Sequence, residues 1–217
     1  MNTDSIKAVI FDLDGTLIDT EKIYRIVWPK ALKQMGYTML EEHYMAMRSL
    51  GRPFAPLKMK EWYGEDFDYN QARVIRKGFF DEYIAEHGIQ LKKGAIELLT
   101  YLRSKGIITA IATATDIERA TSYLDMVGLN GYFDRIISAV QVKEGKPSPY
   151  VYEFACESLG LKPEQCIAVE DAPNGITSAY RAGLNVIMVP DQSQPDEDMR
   201  KMLTYCFDSL EQIIGLL

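Results

Sequence analysis

The chain has 217 residues, 47% of them hydrophobic, and carries 24 Lys and Arg against 31 Asp and Glu, a formal charge of −7. That balance argues against nucleic acid or an anionic membrane surface as the main partner, and an anionic small molecule would need cations gathered locally. The apolar fraction is that of a globular protein, and the length suits one ordinary domain plus a smaller inserted or appended one.

No apolar run is long enough to span a bilayer. The start, Met1-Asn2-Thr3-Asp4-Ser5-Ile6-Lys7, enters the first strand without a basic segment and apolar leader, so a cytoplasmic protein is expected. Cys156, Cys166 and Cys206 are odd in number and lack metal-ligand spacing, and each sits in or beside an apolar stretch. They are expected as free core thiols in a reducing compartment.

In chain order, Ala8 to Phe11 is apolar on successive residues, the pattern of a strand buried on both faces of a parallel sheet. Helical periodicity follows from Thr20 to about Gly36, with Pro29 as a potential kink, and then over Glu41 to Arg48, Phe54 to Tyr63 and Tyr69 to Glu86. These segments are separated by Gly51-Arg52-Pro53 and Gly64-Glu65-Asp66, and no convincing strand interrupts them. After Gly88 the pattern alternates. Helices are expected at Gly94 to Ser104, Asp116 to Val127, Pro149 to Leu159, Ile176 to Ala182 and Leu210 to Leu217. Strands are expected at Ile107 to Thr113, Arg135 to Ser138, Cys166 to Val169 and Val186 to Val189. Strands alternating with helices predict an α/β fold with an open parallel sheet. The sequence therefore divides into a core of residues 1–17 and 88–217 and an inserted all-helical cap of residues 18–87, with hinges at 15–20 and about 84–92.

The first strand stops at Asp12-Leu13-Asp14-Gly15. Alone, that sequence reads as a turn and a helix cap. Thr113 ends a second strand, however, and Glu170-Asp171 ends a third, and in an open parallel sheet such positions converge at the carboxyl edge. Carboxylates meeting there would repel one another unless a hard cation lay between them, and oxygen ligands suit Mg²⁺. Lys146, in the Gly- and Pro-bearing loop Glu144 to Pro149, adds an ammonium, Thr113 a hydroxyl and Ala114 an amide. Together these make a phosphate site. Asp12 could then attack phosphorus, and Asp14 could protonate the leaving oxygen and later accept a proton from water.

Asp12-Leu13-Asp14-Gly15-Thr16, Thr113, Gly145-Lys146-Pro147 and Glu170-Asp171 with Gly175-Ile176, Ala182 and Gly183 resemble, in order, the four motifs of the haloacid dehalogenase superfamily of phosphohydrolases. The resemblance implies a Rossmann-like core, an aspartyl-phosphate on Asp12, Asp14 as general acid and base, and Thr113 and Lys146 on the phosphate. It further implies Mg²⁺ held by the Asp12 carboxylate, the Asp14 backbone carbonyl, Asp171 directly, and Glu170 directly or through water. The helical insertion is similar to the small cap of the β-phosphoglucomutase-like and phosphoglycolate phosphatase-like branch.

Two positions depart from that branch without touching the inferred chemistry: Tyr150 follows Pro149 where many members have Asp, and Lys93-Gly94 stands where many have Pro-Gly. Tyr24 takes the place of the cap histidine of β-phosphoglucomutases, which favours a phosphatase over a mutase. Substrate choice is expected from the cap. Arg52 is a candidate for gripping a distal anionic or hydroxylated group. Arg76, Lys77 and Tyr24 are further candidates, although a basic pair on an exposed helix is more often a solvated face and simple packing would account for Tyr24. His43 and His87 are expected at the surface, and Trp28 and Trp62 in core or hinge packing. The expected protein is thus a monomeric Mg²⁺-dependent phosphatase of a small phosphorylated metabolite, a sugar or polyol phosphate. A sugar phosphate mutase and a non-catalytic phosphate-binding protein are the alternatives.

Overall fold

The central strand of the fold is β1 (Ala8–Phe11), paired in parallel with β2 (Ile108–Thr113) on one side and β4 (Cys166–Glu170) on the other. In the computed structural model, which describes residues 3–217, β3 (Arg135–Ser138), β5 (Asn185–Met188) and β6 (Tyr205–Cys206) complete a six-stranded parallel sheet of order β3-β2-β1-β4-β5-β6. The continuous apolar run of β1 is explained by two packed faces. Val9 and Phe11 enter one buried cluster with Ile111, Ile167 and Val169, and Ala8 and Ile10 enter the other with Ala110, Ala112 and Ala168.

Helices cover both faces. The first cluster is closed by α5 (Ala95–Ser104), α6 (Ile117–Met126) and α10 (Glu211–Ile214), through residues such as Leu98, Leu102, Leu124 and Ile213. The second is closed by α7 (Tyr150–Leu159), α8 (Pro173–Arg181) and α9 (Glu197–Arg200), through Tyr152, Ala155, Ile176 and Met199. The strand alanines leave room for these close-packed helices.

Between β1 and α5 lie α1 (Glu21–Gln34), α2 (Glu41–Met47), α3 (Phe54–Tyr63) and α4 (Tyr69–His87), with Pro29 inside the first. α1 meets α4 through Tyr24 stacked on Phe80, ring centroids 4.7 Å apart, and Trp28 stacked on Tyr69 at 6.3 Å. The two strands of chain that lead into and out of this insert are tied together, since Asp19 N–H donates to Gln90 O at 2.8 Å and Lys92 N–H to Leu17 O at 2.9 Å.

The far side of the insert also touches the core. Gly51 N–H donates to Lys146 O at 2.8 Å and Gly145 N–H to Arg52 O at 2.6 Å. A Cβ built on Gly51 would lie 2.6 Å from the Gly145 Cα, so only glycine permits this approach. Asn174 on α8 adds Nδ2 donation to Arg48 O at 2.8 Å.

Several elements differ from the sequence expectation. β6 was not expected; its two residues are exposed and join the sheet edge through flanking backbone bonds, Thr204 N–H to Val186 O and Phe207 N–H to Met188 O. Cys206 on β6 is therefore exposed, whereas Cys156 and Cys166 are the buried thiols expected. α8 starts earlier than expected, with Pro173 in its first turn, where a missing N–H costs nothing. α10 ends at Ile214, short of Leu217. His87 is exposed, but His43 is half-buried, stacked on Trp62 at 4.3 Å and bonded to the Tyr63 hydroxyl at 2.8 Å.

Candidate active site

Asp12 follows β1, and Glu170 and Asp171 close the adjacent β4, so parallel pairing of neighbouring strands brings the three acids together. One oxygen from each carboxylate lies within 4.8 Å of the others, and all three residues are buried. Gly15 makes the cluster possible. Its φ of +84° turns the chain, and a Cβ there would lie 2.6 Å from Asp171 Oδ2.

Lys146 reaches this cluster from behind. Its side chain is fully buried, and Nζ donates to Asp12 Oδ1 and, at 2.6 Å, to Glu170 Oε1. Burial works against the ammonium, but the two carboxylates outweigh it and raise its pKa. The Tyr152 hydroxyl donates to the same Glu170 oxygen at 2.7 Å. Burial pushes the Asp12 carboxyl well up; Lys146 opposes this, and Glu170, Asp171 and Asp14 add to it. Asp12 Oδ2 and Glu170 Oε2 are buried with no hydrogen-bond partner. Two orphaned carboxylate oxygens in an all-oxygen donor set fit a hard divalent cation.

Asp14 is held apart from that cluster. Its Oδ1 accepts from Thr20 Oγ1 at 2.6 Å and its Oδ2 from Thr115 Oγ1 at 2.8 Å, one hydroxyl at the root of the insert and one on the loop after β2. Thr113 Oγ1 accepts the Thr115 N–H at 3.0 Å, which shapes that loop and leaves Ala114 exposed. Asp12, Asp14, Thr113 and Ala114 line a cavity of about 370 Å³ between core and insert, whereas Lys146, Glu170 and Asp171 are buried and do not line it.

The insert contributes a side chain that sequence reasoning missed. Arg48, from the loop after α2, is buried, donates to Asp171 Oδ2 and, at 3.0 Å, to Ser193 Oγ, and lies 3.8 Å from Glu21. Burial opposes its charge, but Asp171 and Glu21 raise its pKa. Glu21, pushed up to about 7 by burial, also accepts from the Tyr44 hydroxyl at 2.6 Å. Helical periodicity takes in Arg48 as the end of one expected helix and Glu21 as part of another. Their only sequence signal is adjacency, to Gly51-Arg52-Pro53 and to Asp19-Thr20.

The expected insert residues separate. Tyr24 and Arg76 line the cavity, with the Arg76 guanidinium carbon 4.9 Å from the Tyr24 ring centre and 4.6 Å from that of Trp28. Trp28 was expected only in packing, yet it also lines the cavity. Arg52 reaches it from an exposed position and donates to Asn70 Oδ1 at 2.8 Å. Lys77 lies outside it, paired with Asp81 on the exposed face of α4. Arg73 and Arg119, which the sequence did not single out, line the cavity as well.

Comparison with known proteins bears on this arrangement. A family model described as haloacid dehalogenase-like hydrolase matches residues 6–183. The chain is 32% identical over 186 residues to the phosphorylated carbohydrates phosphatase of Thermotoga maritima, covering 84% of each protein. It is 30% identical over 207 residues to hexitol phosphatase A of Escherichia coli, covering 95% of this chain and 93% of that one. The structure of β-phosphoglucomutase from Clostridium difficile superposes with a TM-score of 0.81 at 23% identity, over 96% of this chain and 93% of that one, a likeness of fold.

Proposed function

We propose that this chain, which belongs to the haloacid dehalogenase-like hydrolase family, is a Mg²⁺-dependent phosphatase that releases phosphate from a small sugar or polyol phosphate through a covalent intermediate on Asp12. The observation that carries this reading is the buried Asp12, one oxygen fixed by Lys146 and the other without a partner, beside Glu170 and Asp171.

Asp12, Glu170 and Asp171 would hold the cation, with the Asp14 backbone carbonyl. When bound it supplies positive charge against the substrate phosphate and the carboxylates around it. The chain's own groups do the rest. Asp12 attacks phosphorus, the Asp12 oxygen–phosphorus bond forms, and the bond to the leaving oxygen breaks. Asp14 gives its proton to that oxygen. A water then attacks the phosphorus of the aspartyl-phosphate while Asp14 takes its proton, and the Asp12 carboxylate departs to leave inorganic phosphate. Thr20 and Thr115 hold the Asp14 carboxyl in place for both transfers. Thr113 and Ala114 border the phosphate end of the cavity.

The helical insert, residues 18–87, acts as a lid in this proposal: it roofs the cavity and excludes water while Asp12 is attacked. Tyr24 lines the cavity at the position where the resemblance to β-phosphoglucomutases calls for a cap histidine, which favours a phosphatase over a mutase.

Phosphate release from a panel of sugar and polyol phosphates, with and without Mg²⁺, tests the proposal. Metal-dependent release is expected. Conversion of β-glucose phosphate with trace bisphosphate and no net phosphate release would establish a mutase instead. Ligand binding without turnover of any ester would establish a non-catalytic binder.

A further inference from the structure

We infer that Tyr152 is a positioning residue for the metal-binding acid Glu170: its hydroxyl turns that carboxylate so that a single oxygen is left for the cation, and the cluster thereby prefers small Mg²⁺ to the larger Ca²⁺. The inference rests on the metal-dependent reading above and adds to that site a residue outside the cavity.

Tyr152 stands on α7 and is fully buried, in the cluster that holds Ile10, Ala110, Ala112 and Ala155 on the second face of the sheet. A phenylalanine ring would fill that apolar space as well. The hydroxyl is what tyrosine adds, and a buried hydroxyl is costly unless it is bonded. It leaves the apolar cluster to donate to Glu170 Oε1 at 2.7 Å.

Glu170 is held by other elements too. Lys146 Nζ donates to the same Oε1 at 2.6 Å, and a Cβ on Gly175, in the first turn of α8, would collide with the carboxylate. The frame around the acid is itself braced. Tyr152 lies in the first turn of the helix that follows the Lys146 loop, its N–H donating to Pro149 O at 3.0 Å, and Ser178 Oγ on α8 donates to Ser148 O at 2.6 Å. Loop, α7 and α8 are therefore fixed to one another.

The result is an unequal pair of oxygens. Oε1 carries two donors, while Oε2 is buried with no hydrogen-bond partner among the described residues. Asp12 is divided likewise, with Oδ1 on Lys146 and Oδ2 unpartnered. Tied to Lys146 alone, Glu170 could swing about its ion pair, and a second donor from a different element removes that freedom. The carboxylate then offers one oxygen and not two. Mg²⁺ accepts such ligands in its small octahedral shell, whereas Ca²⁺ gathers more oxygens and often takes both from one carboxylate. Tyr152 does not line the cavity, so it does not touch the ester. Its ring centre lies 5.3 Å from Lys146 Nζ, a contact that phenylalanine would keep.

Tyr152→Phe thus removes the hydroxyl and little else. Calorimetric titration of the ester-free protein with Mg²⁺, and separately with Ca²⁺, reads the effect. The variant is expected to bind Mg²⁺ about tenfold more weakly, a usual loss when the outer partner of a ligand is removed, and to lose less for Ca²⁺. The ratio of the two Kd values therefore moves toward Ca²⁺. In phosphate release, the Mg²⁺ concentration for half-maximal rate should rise by the same factor, with KM for the ester at saturating Mg²⁺ unchanged. A melting temperature in metal-free buffer shows that the variant is folded, and Tyr152→Met, which fills the space without a hydroxyl, repeats the titrations should phenylalanine not be accommodated. Unchanged Kd values for both cations overturn the inference, and so does an equal loss for both, the mark of a core merely loosened. If the parent binds no Mg²⁺, the metal-dependent reading falls and this inference with it. If the parent binds Mg²⁺ but hydrolyses no ester, the phosphatase reading falls alone, and the two titrations still decide the role of Tyr152.

Discussion

Asp12 has two oxygens in different circumstances, one bound by Lys146 and one unpartnered, and this makes Asp12→Asn informative. The amide keeps the shape and removes the attacking charge, so phosphate release should vanish. It also relieves repulsion from Glu170 and Asp171, so the variant should melt no lower than the parent. Asp14→Asn should lower kcat by about 10²- to 10⁴-fold, the usual worth of acid–base assistance, in a steady-state assay. Arg48 poses a different question, since it occupies Asp171 from the insert side. Arg48→Gln leaves Asp171 and Glu21 buried without their cation and should cost about 3–5 kcal/mol of stability in denaturant unfolding. Saturating Mg²⁺ supplies charge beside Asp171, so it should raise the melting temperature of Arg48→Gln more than that of the parent.

Elements were legible where local pattern and tertiary role agree. β1 announced burial on both faces by four successive apolar residues, and the polar residues after β1, β2 and β4 mark the carboxyl edge of the sheet. β6 gave no such signal, because an edge strand of two exposed residues is made by neighbouring backbone and not by its own side chains. The insert helices were readable as helices, but not the faces they turn to the cavity. Arg76 is a candidate from the sequence, but Arg73 looks like an ordinary solvated position until α4 is laid against α1. Arg48 and Glu21 likewise acquire their roles only when the insert docks. The α1–α4 contact can be weighed through Phe80, fully buried and stacked on Tyr24. Phe80→Ala should destabilise the protein by about 3–5 kcal/mol, and because it loosens Tyr24 at the cavity it should also raise KM.

At the scale of the whole molecule, the sheet gathers residues as distant as Asp12, Thr113, Lys146 and Asp171 at one edge, and the four helices roof them. Backbone hydrogen bonds join core and roof at two places: at the root, where Asp19 bonds Gln90, and at the opposite rim, where Gly51 bonds Lys146 and Gly145 bonds Arg52. The rim contact contains no side chain at either glycine, so nothing there can rearrange to accommodate a methyl group. Gly51→Ala should therefore wedge the roof ajar and let water reach the aspartyl-phosphate early. The Gly51 and Gly145 amides, each bonded across the gap, can exchange with deuterium only when the rim parts. Their exchange rates in the parent protein are thus a direct clock for opening, and saturation with a non-hydrolysable phosphate analogue should slow both clocks together.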